Sequence, residues 1–169
     1  MNKFERAFEI LVMHEGGLCE DHAGVTKYGI TMHIMDIDIN GDGIIDERDI
    51  EIMTLEDAKE IYNRKVWVHN KYSKLHDSKI AAKVFDLTVN MGPSQSHLIL
   101  QRAVRACGSI LKEDGILGPK TRRTTNSVCP DILLAAIRSE AAGVYRLIVK
   151  ARPRKYKKYL VGWLSRAYD

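Results

Sequence analysis

Ser78 to Pro93 reads SKIAAKVFDLTVNMGP. From Ile80 to Met91 apolar residues fall on most sides of a helical wheel. A helix of this kind must be covered nearly all round, which places it at the centre of a helical assembly. Ser78 supplies an N-cap, and Gly92-Pro93 ends the helix.

Working outward, the flanking segments carry the same signature. Asn2 caps a helix to about His14, with Phe4, Phe8, Leu11 and Glu15 on one face and Gly16-Gly17 as its stop. Leu18 to Thr31 is small, β-branched and turn-forming, which suits a short hairpin. Thr54 caps a helix to about Val66, with Glu56 and Asp57 in the first turn. After Gly92-Pro93 the pattern predicts a helix from Ser94 to Cys107. The turn DGILGPKT (Asp114–Thr121) then opens a short helix, and Pro130-Asp131 opens a long one to about Lys150. A terminal helix follows Pro153. The expected fold is mainly α with one small β-hairpin. Its two regions, 1–92 and 93–169, are expected to pack into the same globule.

The second feature is DINGDGIIDERD, Asp38 to Asp49. Oxygen-bearing side chains recur at Asp38, Asn40 and Asp42, Gly43 sits at the sixth position, and Asp46 and Asp49 follow. This is the spacing of a twelve-residue calcium loop, an EF-hand-like element. The expected ligands are Asp38, Asn40, Asp42, the backbone carbonyl of Ile44, Asp46 and Asp49, with Ile45 anchoring the loop to the core. The closing Asp49 is shorter than the Glu of sensor loops, so the expected affinity is weak and the calcium structural. A calcium sensor would pair two such loops and expose a Met-rich groove; the sequence has one loop.

Composition sets the bounds. The 169 residues are 45% hydrophobic and 28% charged, as in an ordinary globular protein. The net charge is +4, and Arg146, Lys150, Arg152, Arg154, Lys155, Lys157, Lys158 and Arg166 fall in the last 24 residues. Such a tail suits an anionic polymer or surface. Tyr156, Tyr159, Leu160 and Trp163 interleave with the charges and favour a packed helix over a loose arm. Cys19, Cys107 and Cys129 show no metal spacing and read as buried thiols. No apolar run is long enough to span a membrane, and MNKFERAFEI lacks the apolar core of a signal peptide.

Glu15 is the catalytic candidate. It lies on the apolar face in the last turn of the first helix. Desolvation and the negative end of the helix dipole both favour its protonated form, which is what a general acid needs.

HEGG at His14–Gly17, followed by GVTKYGIT at Gly24–Thr31, resembles glycoside hydrolase family 108, the N-acetylmuramidases found among phage endolysins. The resemblance continues through FDLTVNMG (Phe85–Gly92), LQRAV (Leu100–Val104), DGILGPKT and GWLSR (Gly162–Arg166). The second half looks like the peptidoglycan-binding region that often accompanies this catalytic region. EDHAG (Glu20–Gly24) stands where the family commonly has D-P-x-D-P-G-G, so the second carboxylate is either Glu20 or Asp21. The calcium loop stands where many relatives have an ordinary linker.

The resemblance implies a lysozyme-like helical fold and hydrolysis of the β-1,4 bond between N-acetylmuramic acid and N-acetylglucosamine. Glu15 would protonate the leaving oxygen, Thr26 would position a water, and Asp21 or Glu20 would act as base. Tyr28 would bond Glu15 or line the groove. Asp86 and Asn90 would either reach the sugar or the hairpin, or form buried structural hydrogen bonds. The expected partner is bacterial peptidoglycan rather than nucleic acid, with anionic wall or membrane contact through the basic terminal helix and a monomeric state. An endolysin of this kind is made in the host cytoplasm and reaches the wall through a holin. Two rivals share the sequence: a lytic transglycosylase using the same Glu15, and a non-catalytic calcium-dependent wall-binding protein.

Overall fold

The structure, a computed structural model, describes residues 2–15, 19–21, 24–32, 34 and 36–169, and of residues 15, 19–21, 24 and 25 the backbone only. It is mainly helical and divides into two compact units, residues 1–73 and 74–169.

The first unit begins with α1, Lys3–Glu15. Asn2 caps it reciprocally: Glu5 N–H donates to Asn2 Oδ1 (2.9 Å) and Asn2 N–H to Glu5 Oε2 (2.8 Å). Phe4, Ala7, Phe8 and Leu11 are buried; three belong to the predicted stripe, Ala7 is additional, and the Glu15 side chain lies outside the described residues. Two short antiparallel strands follow, β1 (Cys19–Asp21) and β2 (Gly24–Thr26), with Cys19 opposite Thr26. Helix α2 is Glu47–Ile52 and α3 is Leu55–Tyr62, which continues as a π-helical stretch, Asn63–Val68. Thr54 caps α3 as predicted, in a reciprocal box with Asp57. That bonding, from the Thr54 hydroxyl first, holds the Asp57 carboxyl below its usual range. The core is aromatic. Phe4 lies 5.6 Å from Trp67, Phe8 lies 6.1 Å from Tyr62, and Trp67 lies 5.9 Å from Tyr72, between ring centroids.

The second unit is built round α4, Ser78–Met91, in which Ile80 through Thr88 are all buried. Its cap is Asp77 rather than Ser78. The Asp77 carboxylate accepts N–H bonds from Lys79 and Ile80, both 2.9 Å, and a carboxylate that takes two amides outcompetes a hydroxyl that takes one. Helices α5 (Pro93–Ala106) and α7 (Pro130–Ala151) pack on α4. The chain continues through α6 (Pro119–Ser127), α8 (Pro153–Tyr156) and α9 (Leu160–Tyr168), and α9 packs along α7. By packing, the division falls near residue 73, because α4 buries its surface on α5 and α7.

Among the described residues, no helix is long and apolar enough to cross a membrane. Cys107 is half-buried and Cys129 is exposed. The expectation of buried thiols therefore fails at Cys129, which sits at the N-cap of α7, and the Cys19 side chain lies outside the described residues.

Candidate active site

GVTKYGIT folds as strand plus turn. After β2, Lys27 and Ile30 exchange backbone hydrogen bonds (3.2 and 2.9 Å), closing a two-residue loop of Tyr28 and Gly29. Both lie in the left-handed region, Tyr28 at φ 52° and Gly29 at φ 76°. This is the type I′ arrangement that follows the twist of paired strands. Glycine adopts it freely; a tyrosine does not, and needs an outside hold. Tyr62 provides one, since its hydroxyl donates to the Tyr28 carbonyl at 3.0 Å. Lys27 Nζ donates to the Glu51 carbonyl at 2.6 Å and ties the turn to α2. Thr26 and the Tyr28 ring are half-buried, so both remain partly open to solvent. Lys27 Nζ sits 5.9 Å from the centre of that ring.

Glu15 is the last residue of α1, and Asp21 closes β1. The side chains of Glu15, Glu20 and Asp21 lie outside the described residues.

Asp86 and Asn90 lie on α4 in the second unit. Asp86 is 1% exposed and paired with Arg166 of α9. Arg166 Nη2 donates to Oδ1 at 2.9 Å and Nε to Oδ2 at 3.2 Å. Lys83 Nζ donates to the Arg166 carbonyl in the same cluster. Burial pushes the Lys83 ammonium down to about 8, against the opposing pull of Asp86. Asn90 Oδ1 accepts the Tyr145 hydroxyl at 2.8 Å. These contacts join helices, Asp86 tying α4 to α9 and Asn90 tying α4 to α7.

The loop 38–49 is fastened by its own amides. Asp38 accepts from Gly41 and Gly43 (both 2.7 Å), Asn40 from Asp42, and Asp42 from Ile44 (2.8 Å each). Gly41 and Gly43 take the left-handed turns, φ 76° and 88°. Asp49 is fully buried and accepts three amides: Ile39 (2.8 Å), Asn40 (3.2 Å) and Asp46 (2.9 Å). Those bonds, the one from Asp46 first, hold its carboxyl below the usual range. Asp46 accepts from Arg48 N–H and caps α2. Upstream, Asp36 forms a forked pair with Arg64 (2.6 and 2.7 Å) and also meets Lys65. The Arg64 bond, chiefly, lowers the Asp36 carboxyl.

Ile45 does not anchor the loop; it is 42% exposed. The anchors are Asp49 and Ile50, buried at the start of α2. Among the described residues, no group of three or more His, Cys, Asp or Glu side chains is gathered so as to hold a metal ion. The donor set is all oxygen, which suits a hard cation such as calcium. Asp49, however, spends both its oxygens on the loop's own ends.

DGILGPKT is likewise saturated from within. Gln101, the Gln of LQRAV, accepts from Asp114 N–H (3.0 Å) and Gly115 N–H (2.9 Å). It donates to Asp114 Oδ1 (2.8 Å) and the Ile116 carbonyl (3.1 Å). Gly115 has φ 72°, and a Cβ there would lie 2.8 Å from Ser94 Oγ. The two motifs form one internal polar joint.

A family model, Glycosyl hydrolase 108, matches residues 8–92. The chain belongs to glycosyl hydrolase family 108. A second model, Predicted Peptidoglycan domain, matches residues 95–168. The family-108 chain is thus a glycoside hydrolase acting on peptidoglycan. A solved structure, "Structure of Brucella abortus SagA", matches at 19% identity and a TM-score of 0.70, covering 97% of this chain and 92% of that one. That likeness shows a shared fold. No curated protein sequence matches. The family match takes in both halves of the candidate site, the end of α1 and the turn after β2.

Proposed function

We propose that this family-108 chain is an endolysin-type N-acetylmuramidase with a lysozyme-like groove. It hydrolyses the β-1,4 bond between N-acetylmuramic acid and N-acetylglucosamine. The observation that carries the reading is the turn after β2. Its left-handed Tyr28 is held by the Tyr62 hydroxyl, so the segment bearing Thr26 is rigid, within the region that matches the hydrolase family. A preset backbone of this kind serves positioning rather than stability.

In the proposed reaction the Glu15 carboxyl gives its proton to the glycosidic oxygen as the C1–O bond breaks. A water held by the Thr26 hydroxyl adds to C1 from the opposite face. Its proton passes to the carboxylate of Asp21 or Glu20. That geometry gives inversion, with carboxyls about 6.5–9.5 Å apart. Tyr28 lines the groove.

Loop 38–49 is proposed as a structural calcium site, with Asp38, Asn40, Asp42, the Ile44 carbonyl and Asp46 offering oxygen. Asp49 contributes by holding the loop closed. The ion would supply stability to the segment between the turn and α3, and no part of the chemistry. The basic end of the chain is proposed to hold anionic wall or membrane, with release to the wall in the manner of phage lysis proteins.

The test is digestion of purified peptidoglycan with mass spectrometry of the products. Hydrolysis leaves reducing muramic ends, each carrying the mass of one added water; a transglycosylase leaves anhydro ends. Glu15→Gln should fold as the parent does and release no products. Products released at the parent's rate by the variant would end the assignment of Glu15.

A further inference from the structure

The last turns of the second unit gather positive charge that no neighbouring part of the sequence balances. Arg152, Arg154, Lys155, Lys157 and Lys158 are all exposed, five cations in seven residues, and no Asp or Glu occurs from 141 to 168. Elsewhere the fold sets such cations against carboxylates: Arg64 and Lys65 against Asp36, Arg102 and Arg105 against Glu113, and Arg166 against Asp86. Here two of them lie over rings instead. Lys155 Nζ is 5.2 Å from the centre of the Tyr156 ring, and Lys158 Nζ is 4.8 Å from that of Tyr159.

Helix α8 runs through a 3₁₀ turn, Lys157–Tyr159, into α9, and the backbone stays right-handed helical at Tyr156, Lys157, Tyr159 and Leu160. Residues three and four apart therefore share a face. One face is Tyr156, Tyr159, Leu160 and Trp163. Its rings gather on α7: Trp163 lies 5.3 Å from Tyr145 and 5.7 Å from both Tyr156 and Tyr159, between ring centroids. Tyr145 is itself buried and tied to Asn90. The other face is Arg154, Lys157, Lys158 and Val161. Its three cations are exposed, and Val161 is 81% exposed. A soluble polyanion would be held by the cations alone. Val161 gains only from a partner that offers hydrocarbon beneath its charge. Lysine, arginine, tyrosine and tryptophan together are the residues that settle at the boundary between lipid headgroups and acyl chains.

We propose that this outward face docks on a bilayer carrying anionic phospholipid. Arg154, Lys157 and Lys158 meet the headgroup phosphates, and Val161 enters the layer beneath them with Tyr159 at its edge. The proposal rests on the reading that the basic end of the chain holds an anionic surface, and it names that surface as lipid rather than wall polymer.

The experiment is flotation of the full chain with phosphatidylcholine vesicles, with and without phosphatidylglycerol, beside a soluble polyanion, polyphosphate. The chain should float with the anionic vesicles only, and salt raised from about 0.1 M to about 1 M should release it. Of the two tryptophans, Trp67 is 4% exposed and should not respond, whereas the emission of the half-buried Trp163 should shift to the blue. Arg154→Gln, Lys157→Gln and Lys158→Gln combined should weaken vesicle binding on the order of a hundredfold, about fivefold for each cation. Val161→Ser should weaken it about tenfold yet bind polyphosphate as the parent does. Failure to float with the anionic vesicles at low salt overturns the proposal, as does equal flotation with the neutral ones. So does a Val161→Ser variant that floats like the parent, which would leave the cations to a polymer. A Val161→Ser variant that loses vesicles and polyphosphate alike overturns it too, because Val161 would then be structural. Digestion of purified peptidoglycan is scored apart. A parent that digests the wall but ignores vesicles loses this surface alone, and one that floats but digests nothing loses the hydrolase assignment and keeps the surface.

Discussion

Asp86→Asn tests whether the buried carboxylate of α4 serves the sugar or the scaffold. Asp86 and Arg166 are 1% and 8% exposed and meet through two charged hydrogen bonds, 2.9 and 3.2 Å. Removing one member leaves the guanidinium buried without its counter-charge, which costs about 3–5 kcal/mol. The amide keeps the shape and one acceptor, so the lower end of that range, about 3 kcal/mol, is the better figure. In a chain of this length each kcal/mol moves Tm by about 2–4 °C, giving a fall of roughly 6–12 °C. Replacing both members with apolar residues, Asp86→Leu with Arg166→Met, should recover most of the loss, because the pair is weak in net terms once its desolvation is counted. Denaturant unfolding of the two single variants and the double gives the coupling energy directly. In wall digestion well below Tm, Asp86→Asn should retain the parent's KM. A variant within about 1 kcal/mol of the parent in stability but with a clearly raised KM would refute the scaffold reading and return Asp86 to the groove.

Lys83 gives a pH test of the same cluster. Its ammonium is lowered from 10.5 to about 8, so between those values the unfolded chain binds a proton that the folded chain has released. Stability should therefore rise with pH across that window, and the penalty stands in full below it. Lys83→Met should be more stable than the parent at neutral pH by at most about 3 kcal/mol, with the gap closing towards pH 10.5; a gap that ignores pH in unfolding experiments would count against a buried ammonium. For the loop, chelation should lower Tm and lytic rate together, and calcium should restore both. With Kd on the order of 10⁻⁵–10⁻³ M, calcium at about a hundred times Kd adds roughly 2.7 kcal/mol. Asp38→Ala should mimic chelation, and calorimetry that finds no calcium binding to the parent removes the ion from the account.

What the sequence disclosed depended on how far each residue's partner lies along the chain. The buried run of α4, the caps at Asn2 and Thr54 and the helix starts at Pro93, Pro119 and Pro130 are local. Periodicity and capping chemistry reach them within a turn or two. The cap of α4 was misplaced by one residue because Asp77 and Ser78 are adjacent cap formers, and only the geometry of the two amides separates them. Asp86 resembles a site residue on pattern alone, and its partner Arg166 is 80 positions away. Tyr28 in a left-handed turn is equally hidden, since the Tyr62 hydroxyl that holds it comes from 34 residues on. Loop 38–49 is the subtler case. Its spacing is that of a metal loop, yet the same oxygens also close it on its own amides, and spacing cannot say which acceptor role dominates. Ile45 was given the anchoring task because apolar residues usually bury. Here the buried Asp49 does that work, satisfied by three amides. Motif spacing therefore locates the polar residues, and only the fold says which of their hydrogen bonds are already used.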